Sequence, residues 1–419
     1  MLLSFMRDAI AVMFRGERNY WLWLGALALL VLVGVAAYSV QLREGLIVTG
    51  MSDQVSWGFY ISNFAFLVGI AAAAVLLVIP AYVFHRNDIK SVVLIGEGLA
   101  VAAVLCAMLF VIVDLGRPDR LLHMLPFIGR FNFPQSMLAW DVVVLSGYLL
   151  LNLAIPFYVH YCHYRQQEPS FAAYFPFVVL AMFWAISIHT VTAFLFSSNT
   201  ARPFWHVALL GPRFIATAFV SGPALIILLL QLIDRFTRYP VPRSVIDTLA
   251  VIMTVALQIS LFFVGVELFT DFYNETAHAA SVRYLYFGLD GLARLAPWVW
   301  IALAMNLVAV VILMVNPLRR QLRLLNAACV LAFVGIWIEK GMGFVVPGFI
   351  PTPLGEVFEY SPSGVELMVT VGIWAFGALV FTLFAKASIA ISLGDVSATR
   401  AEKPAATKST GTAPGTATG

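Results

Sequence analysis

Charge is scarce in this chain. Of its 419 residues only 11% are Asp, Glu, Lys or Arg, where a soluble domain carries about 25%. The 25 Lys and Arg nearly balance the 22 Asp and Glu, for a formal net charge of +3, and so small an excess gives no reason to expect nucleic acid as a partner. Cysteine is scarcer still. Three residues, Cys106, Cys162 and Cys329, are too few for a disulfide framework or for a Cys-ligated iron–sulfur centre. The chain also lacks a P-loop and a glycine-rich nucleotide fingerprint. What it has in abundance is apolar residues, 61% of the total, with a mean hydropathy of +0.92. These figures exclude an ordinary soluble enzyme and a disordered chain, and they predict an all-α polytopic membrane protein.

A bilayer core about 30 Å thick needs roughly 20 apolar residues per helix. Ten stretches qualify: 20–42, 57–84, 90–114, 136–160, 173–196, 214–233, 248–271, 296–315, 323–342 and 365–388. Breakers such as Pro118, Pro134, Pro203, Pro212, Pro240, Pro317 and Pro347 punctuate the intervals. The ten-residue alternating segments of a β-barrel are absent. The first span is too long for a cleaved signal peptide and no small-residue cleavage site follows it. The expected organisation is a cytoplasmic N-terminal segment over 1–19, a transmembrane domain over 20–390, and a disordered cytoplasmic tail over 391–419, rich in Ala, Thr, Gly and Pro. With the N-terminus inside, sixteen of the 25 basic residues fall on the inner side, eight on the outer side, and Lys340 within a span. That bias predicts both termini in the cytoplasm. The outer loop 115–135 runs against it with Arg117, Arg120, Arg130 and His123. Its arginines either snorkel to headgroups or make a cap over a site or a docking surface.

An ionisable group deep in a span costs roughly 2.5–3.5 kcal/mol on insertion scales, so each is a functional candidate. Asn63, Asp141 and Glu366 fall near the starts of inward-running spans. Asp114, His189, Glu267, Asp271, Glu339 and Lys340 fall near the ends of outward-running ones. All nine are therefore expected in the outer half of the membrane. Asp114, Asp271 and Glu366 also read as helix-end residues wetted by headgroups, and Glu339 with Lys340 as local charge compensation. Only Glu97, in Gly96-Glu97-Gly98, sits toward the inner half, either in a structural hydrogen bond between close-packed helices or in proton transfer. Of the seven histidines only His189 is well inside a span; His160 and His163 share one helix end, and His85, His123, His206 and His278 lie in or near loops. Without paired intramembrane histidines, a haem-binding subunit is not expected, and neither is a metal site.

Several stretches resemble the polysulfide reductase membrane subunit (NrfD/PsrC) family. They are Trp57-Gly58-Phe59-Tyr60-Ile61-Ser62-Asn63-Phe64, Asp114-Leu115-Gly116-Arg117-Pro118, Ser136-Met137-Leu138-Ala139-Trp140-Asp141 and His189-Thr190-Val191-Thr192-Ala193-Phe194, followed by Arg202-Pro203, Trp205 and Ser221-Gly222. Ile338-Glu339-Lys340-Gly341-Met342-Gly343, Pro347-Gly348-Phe349-Ile350-Pro351 and Glu359-Tyr360-Ser361-Pro362 resemble its ten-span branch, the DsrP/HmeB group of sulfur-metabolism complexes. The resemblance covers about residues 15–390. It implies two four-helix bundles, spans two to five and six to nine, flanked by two extra helices. It also implies a quinone pocket near the periplasmic face of a bacterial inner membrane. A periplasmic ferredoxin-like iron–sulfur subunit would pass electrons across, together with a multihaem cytochrome c and further membrane subunits. One departure concerns the histidine that many relatives carry shortly after the Asn-Phe pair, because this chain reads Gly69-Ile70-Ala71-Ala72-Ala73-Ala74 there.

The expected function is a quinone-handling electron-transfer subunit without its own redox metal, exchanging electrons between menaquinone or ubiquinone and the periplasmic partner. A quinone needs an apolar slot, hydrogen bonds at its carbonyls and proton access. His189 and either Asn63 or Tyr60 are the expected carbonyl partners, in a pocket shared with Asp114 and Arg117. Glu97, Asp141, Glu267, Asp271 and Glu339 are the expected proton-transfer groups, with proton translocation as a consequence. Two other classes compete. A secondary transporter should show interrupted spans and binding groups near the midplane, whereas here no central break is evident and the polar groups lie toward one face. A purely structural anchor for redox subunits would leave the polar residues dispensable.

Overall fold

A computed structural model describes residues 1–398 except 126 and 275–278. His278, and the basic residues Arg400, Lys403 and Lys408 counted for orientation, lie outside the described residues. All ten expected spans are present: Arg18–Glu44, Phe59–Val83, Asn87–Asp114, Met137–Tyr164, Phe171–Ser197, Leu210–Phe236, Arg243–Tyr273, Ala296–Met314, Leu322–Phe349 and Gly364–Ser392, called spans 1 to 10 below. The described residues contain no β-strand beyond one isolated bridge between Leu289 and Leu292. Because the spans alternate in direction, spans 1, 3, 5, 7 and 9 begin at one end of the molecule, the near end, and finish at the other, the far end.

Spans 2 to 5 close one ring of neighbours, in which span 2 packs on 3, 3 on 4, 4 on 5 and 5 on 2. Spans 6 to 9 close a second ring in the same way. Contacts of span 2 with spans 6 and 9, and of span 5 with span 6, join the rings. Spans 1 and 10 pair with each other, and span 10 lies along span 3. They meet at Gly34 and Gly372, where a Cβ on either residue would stand 2.6 Å from the other's Cα. This is the small-residue crossing that lets helices approach where water exclusion gives no driving force. Spans 2 and 3 are the axis of the molecule. Their apolar windows are 88% and 83% buried, against 22% for span 1 and 28% for span 5.

Two spans are less regular than their composition predicts. Span 2 runs as α-helix to Ala71, tightens to a 3-10 turn over Ala72–Ala74, resumes over Val75–Val78 and ends in a π turn over Ile79–Val83. The expectation of no central break is therefore corrected. The run of alanines, strong helix formers, carries no sequence signal of the break, and Pro80, with no N–H to give, lies in the irregular π turn that follows. Irregular backbone at membrane depth is tolerated where protein or a cavity covers it, and Ala72, Ala74 and Val75–Val78 are buried. Span 9 is α-helical to Lys340, changes direction at Gly341 and continues as Met342–Val345 and the 3-10 turn Val346–Phe349.

The expected 1–19 segment contains an amphipathic helix, Leu2–Met13, lying against spans 4 and 10. Phe5 sits edge-on to Phe157, Tyr161 and Tyr164, and the Tyr164 hydroxyl donates to Asp8 at 2.8 Å. Val396, just past span 10, is buried in the same cluster. The chain is thus still packed several residues beyond the expected boundary at 391, and the rest of that tail, from 399, lies outside the described residues.

Candidate functional site

At the far end of the first bundle the last turns of span 5 meet the first turns of span 4. Ser136 caps span 4, its hydroxyl accepting from the Ala139 N–H at 3.4 Å, which starts the helix so that Asp141 faces inward. On span 5, His189 and Thr192 are three residues apart and share a face. Thr192 donates to Asp141 Oδ1 at 3.1 Å. Beyond that bond the group is unsatisfied: Asp141 Oδ2 and both ring nitrogens of His189 are buried with no hydrogen-bond partner. Each such atom costs roughly 1–3 kcal/mol, so three in one place mark a site built for something other than stability.

Beside it, around the start of span 2, the polar groups are instead engaged. Asn63 Oδ1 accepts from the indoles of Trp337 and Trp374 at 3.1 and 3.0 Å, and its amide nitrogen donates to Phe59 O at 2.8 Å. The Tyr60 hydroxyl donates to Gln41 at 2.7 Å, and Gln41 donates to Val113 O at 2.6 Å. Tyr360 receives the Phe59 N–H at 2.8 Å and donates to Glu366 at 2.5 Å. Glu366 also accepts from Gly50 N and Ser363 N at 2.6 and 2.8 Å. Burial, and then the Glu366 carboxylate, push the Tyr360 phenol well above its ordinary range. Asp114 closes this corner with a buried, unpartnered Oδ1. Gln41 and Tyr360 were missed as site residues. Gln41 falls among the polar residues that end span 1, and nothing in the sequence says that it faces Tyr60.

Arg117 does not join the pocket expected for it. Its side chain is 66% exposed and paired with Asp119 at 2.9 Å, because the chain leaves the bundle at Leu115 and turns outward. Hydrogen bonding to Arg117 holds the Asp119 carboxyl below its ordinary range. The same loop exposes Leu122, Leu125, Phe127 and Ile128.

The second bundle gathers its charges around Arg213. By sequence alone Arg213 reads as a loop residue, since the apolar run begins one position later. Span 6 in fact starts at Leu210 and carries Arg213 inside, 14% exposed. Its guanidinium donates to Glu267 of span 7 and, at 3.1 Å, to Glu339 of span 9, and Asn306 of span 8 donates to Glu339 at 3.2 Å. All four spans thus meet in one charge cluster. Asp271 is buried one turn beyond Glu267. Toward the near end of this bundle Gln231 and Asn326 exchange amide hydrogen bonds at 2.6 and 3.0 Å.

Glu97 lies apart, in the near half of span 3. Its Oε2 is buried and unpartnered, beside a small cavity that Ala74, Val78, Tyr148, Asn152 and Met182 also line. The flanking glycines have a packing reason. A Cβ at Gly96 would stand 2.6 Å from Leu77 Cδ1 in the irregular part of span 2, and one at Gly98 would collide with the Phe384 ring. Asp141, Tyr148 and Asn152 follow one another on span 4 at seven and four residues, so they form one stripe. That stripe connects the depth of Glu97 with the far-end site. His160, at the near end of span 4, bonds Ser388 of span 10 at 2.8 Å. Among the described residues no three His, Cys, Asp or Glu side chains are grouped to hold a metal ion.

Among known proteins, a family profile described as "Polysulphide reductase, NrfD" matches residues 47–346. A putative membrane subunit of dimethyl sulfoxide reductase from Halobacterium salinarum is 27% identical over 400 residues, covering 85% of this chain and 88% of its own length. The Hdr-like menaquinol oxidoreductase integral membrane subunit of Archaeoglobus fulgidus is 26% identical, covering 86% and 91%. The menaquinone reductase integral membrane subunit of Nitratidesulfovibrio vulgaris is 24% identical, covering 83% and 86%.

Proposed function

This chain belongs to the polysulphide reductase NrfD family, and on that premise we propose that it is the quinone-reactive membrane subunit of a multi-subunit oxidoreductase. Two relatives are named for menaquinol or menaquinone, which supports a menaquinone-type substrate. The observation that carries the reading is the cluster of His189, Thr192 and Asp141, with three buried polar atoms lacking partners. A quinone headgroup is an apolar ring with two oxygens that accept hydrogen bonds when oxidised and donate them when reduced, so it can satisfy such a set. His189 bonds one oxygen, and Asp141, steadied by Thr192, exchanges a proton at the other. Asp114, with Tyr60 beside it, connects the site to the far-end surface, and Asn63 holds span 2 against spans 9 and 10.

Turnover between quinone and quinol moves two electrons and two protons. The electrons pass at the far end to an iron–sulfur subunit of a sulfur-metabolism complex, with a multihaem cytochrome c among its further subunits. The exposed loop carrying Arg117, Leu125 and Phe127 is the docking surface. With the basic residues placed inside, the far end faces the periplasm and both termini the cytoplasm. Protons reach the quinone from the near end by way of Glu97 and the Asn152, Tyr148, Asp141 stripe. From Asn152 to Asp141 this stripe spans eleven residues, about 16 Å at 1.5 Å per residue.

The test is His189→Ala in the assembled complex. Quinone-coupled turnover should collapse while assembly persists, and turnover at the wild-type rate would remove His189 from the mechanism. The purified subunit alone should show no haem Soret band and no stoichiometric iron.

A further inference from the structure

The helix Leu2–Met13 has three faces, and packing accounts for only one of them. Phe5, Ala9 and Val12 recur at helical spacing and face the protein, where Phe5 is buried. Leu3, Met6, Ile10 and Phe14, three or four residues apart and so on one side, are exposed, Leu3 at 82% and Ile10 at 50%. Their side is the one turned away from the bundle. Ser4, Arg7 and Asp8 run between these two faces as a polar edge, and the Arg7 side chain is 73% exposed.

The contacts of the helix fix its depth and direction. Phe5 rests on Phe157, Tyr161 and Tyr164, which belong to the last two turns of span 4. At the other end the Tyr20 hydroxyl of span 1 donates to Met13 O at 2.5 Å. Between them the helix packs on span 10, whose Lys386 sets its ammonium 3.7 Å from the centre of the Tyr20 ring. A helix that reaches from span 4 across span 10 to span 1, at their near ends, lies along the membrane surface. Its twelve residues measure about 18 Å, too short to cross a core of about 30 Å.

The outward apolar side continues a surface that already faces lipid. Phe157, in contact with Phe5, is exposed on the membrane-spanning part of span 4, and so is Leu153 one turn deeper. Cations gather at the same level. Arg15 and Arg18, just past the helix, are exposed, and Arg165 after span 4 holds its guanidinium 5.8 Å from the centre of the Tyr161 ring. Asp8, which accepts from Arg7 at 3.1 Å, also accepts from Tyr164 and is turned toward the protein.

We propose that Leu2–Met13 is an in-plane membrane helix that binds anionic phospholipid of the near-end leaflet. Leu3, Met6, Ile10 and Phe14 seat among the upper methylenes of the acyl chains, and Arg7, Arg15 and Arg18 hold the headgroup charge. Apolar burial about 5–10 Å into the headgroup boundary, joined to attraction for anionic headgroups, is what keeps such a helix at the interface. This surface is separate from the His189 site and stands whether or not that site takes a quinone.

The experiment places bimane at Ile10→Cys in the assembled complex, the three native cysteines being buried. The complex is reconstituted in phosphatidylcholine vesicles that contain a lipid with a doxyl quencher near the top of its acyl chain. The quencher is carried on phosphatidylcholine in one set and on phosphatidylglycerol in the other. Both lipids should quench, with phosphatidylglycerol about fivefold more effective at equal mole fraction, the worth of about one arginine at an anionic surface. Arg7→Gln, Arg15→Gln and Arg18→Gln combined should bring phosphatidylglycerol down to the level of phosphatidylcholine and leave the latter unchanged. Leu3→Cys should report the same and carries the label if Ile10→Cys fails to assemble. A label that neither lipid reaches, because water or another subunit covers it, overturns the proposal. Equal quenching by both lipids in the complex with its arginines intact, or a phosphatidylglycerol excess that survives their replacement, overturns the assignment to anionic lipid.

Discussion

The two bundles are built alike, each a closed ring of four spans, and each carries acidic groups within its helices. They treat those groups in opposite ways. In the second bundle Arg213 binds Glu267 and Glu339, Asn306 supports Glu339, and Gln231 clasps Asn326. In the first, Glu97, Asp114, Asp141 and His189 each keep a buried atom without any partner, whereas in the second bundle's charge cluster the carboxylates are engaged and the Asn306 Oδ1 alone is left over among the described residues. A buried ionic network is dismantled at high cost when one member is removed, whereas an orphaned polar atom can be replaced by carbon at little cost or some gain. On the proposed function, the second bundle's polar residues serve to hold it together and the first bundle's serve a ligand and protons. Stability and activity should separate along the seam between them.

The sharpest way to break this comparison is Arg213→Leu. It leaves two carboxylates facing each other in a dry interior, and removing one partner of a buried pair typically costs about 3–5 kcal/mol. We expect loss of assembly or a large fall in thermal stability, measured by fluorescence-detected size exclusion after heating. A variant as stable as wild type would show that the cluster is no clamp.

Asp141→Leu should do the reverse. The mutation removes an orphaned oxygen and strands only the Thr192 hydroxyl, which can turn back to a carbonyl of its own helix. Thermal stability should be unchanged or higher, while quinone-coupled turnover falls about 10²-fold or more. If stability fell as far as in Arg213→Leu, the contrast between the bundles would be lost.

How much of this was legible beforehand follows from what one sequence encodes. The ten spans and the two-ring arrangement came from hydropathy, breakers and the resemblance. The far-end clustering of polar groups followed from counting residues along alternating spans. Pairing is another matter. Arg213 lay one residue outside its apolar run, so nothing marked it as the hub of a buried network. That Glu339 turns to Arg213 and Lys340 to Phe214 depends on how spans 6 and 9 rotate about their axes. Hydropathy says little about that in helices apolar on every face. The same blindness hid Gln41 behind Tyr60, and it hid the bond that ties Asp141, expected only to move protons, to Thr192 on the His189 face of span 5. It also placed Arg117 in a pocket that its exposed ion pair with Asp119 keeps it from.

Glu97 tests the comparison more gently. Glu97→Gln keeps the shape of the side chain and removes only its proton exchange, so folding should be untouched. In proteoliposomes with turnover and membrane potential recorded together, we expect the potential generated per turnover to fall severalfold. Unchanged potential and unchanged turnover would make Glu97 a packing residue like the glycines beside it.

The smallest expected effect is at the Gln231–Asn326 pair, and it decides whether the second bundle's polar contacts are cooperative or incidental. Each amide both donates and accepts: replacing Gln231 by Leu takes both bonds from Asn326, and replacing Asn326 strands the Gln231 oxygen and leaves its nitrogen only a long bond to Ile227 O at 3.4 Å. Either single variant should lose about 1 kcal/mol. Replacing both removes the stranded groups together with the bonds, and two leucines can pack where two amides met. The double variant should then be more stable than the sum of the singles implies, by a coupling of about 0.6 kcal/mol or more, the average for such pairs between membrane helices. Activity should stay at the wild-type level in all three variants, since this pair lies toward the near end and in the other bundle from His189. If the double variant lost turnover with its fold intact, the second bundle would be taking part in the chemistry, and the division of labour argued from the orphaned atoms would have to be redrawn.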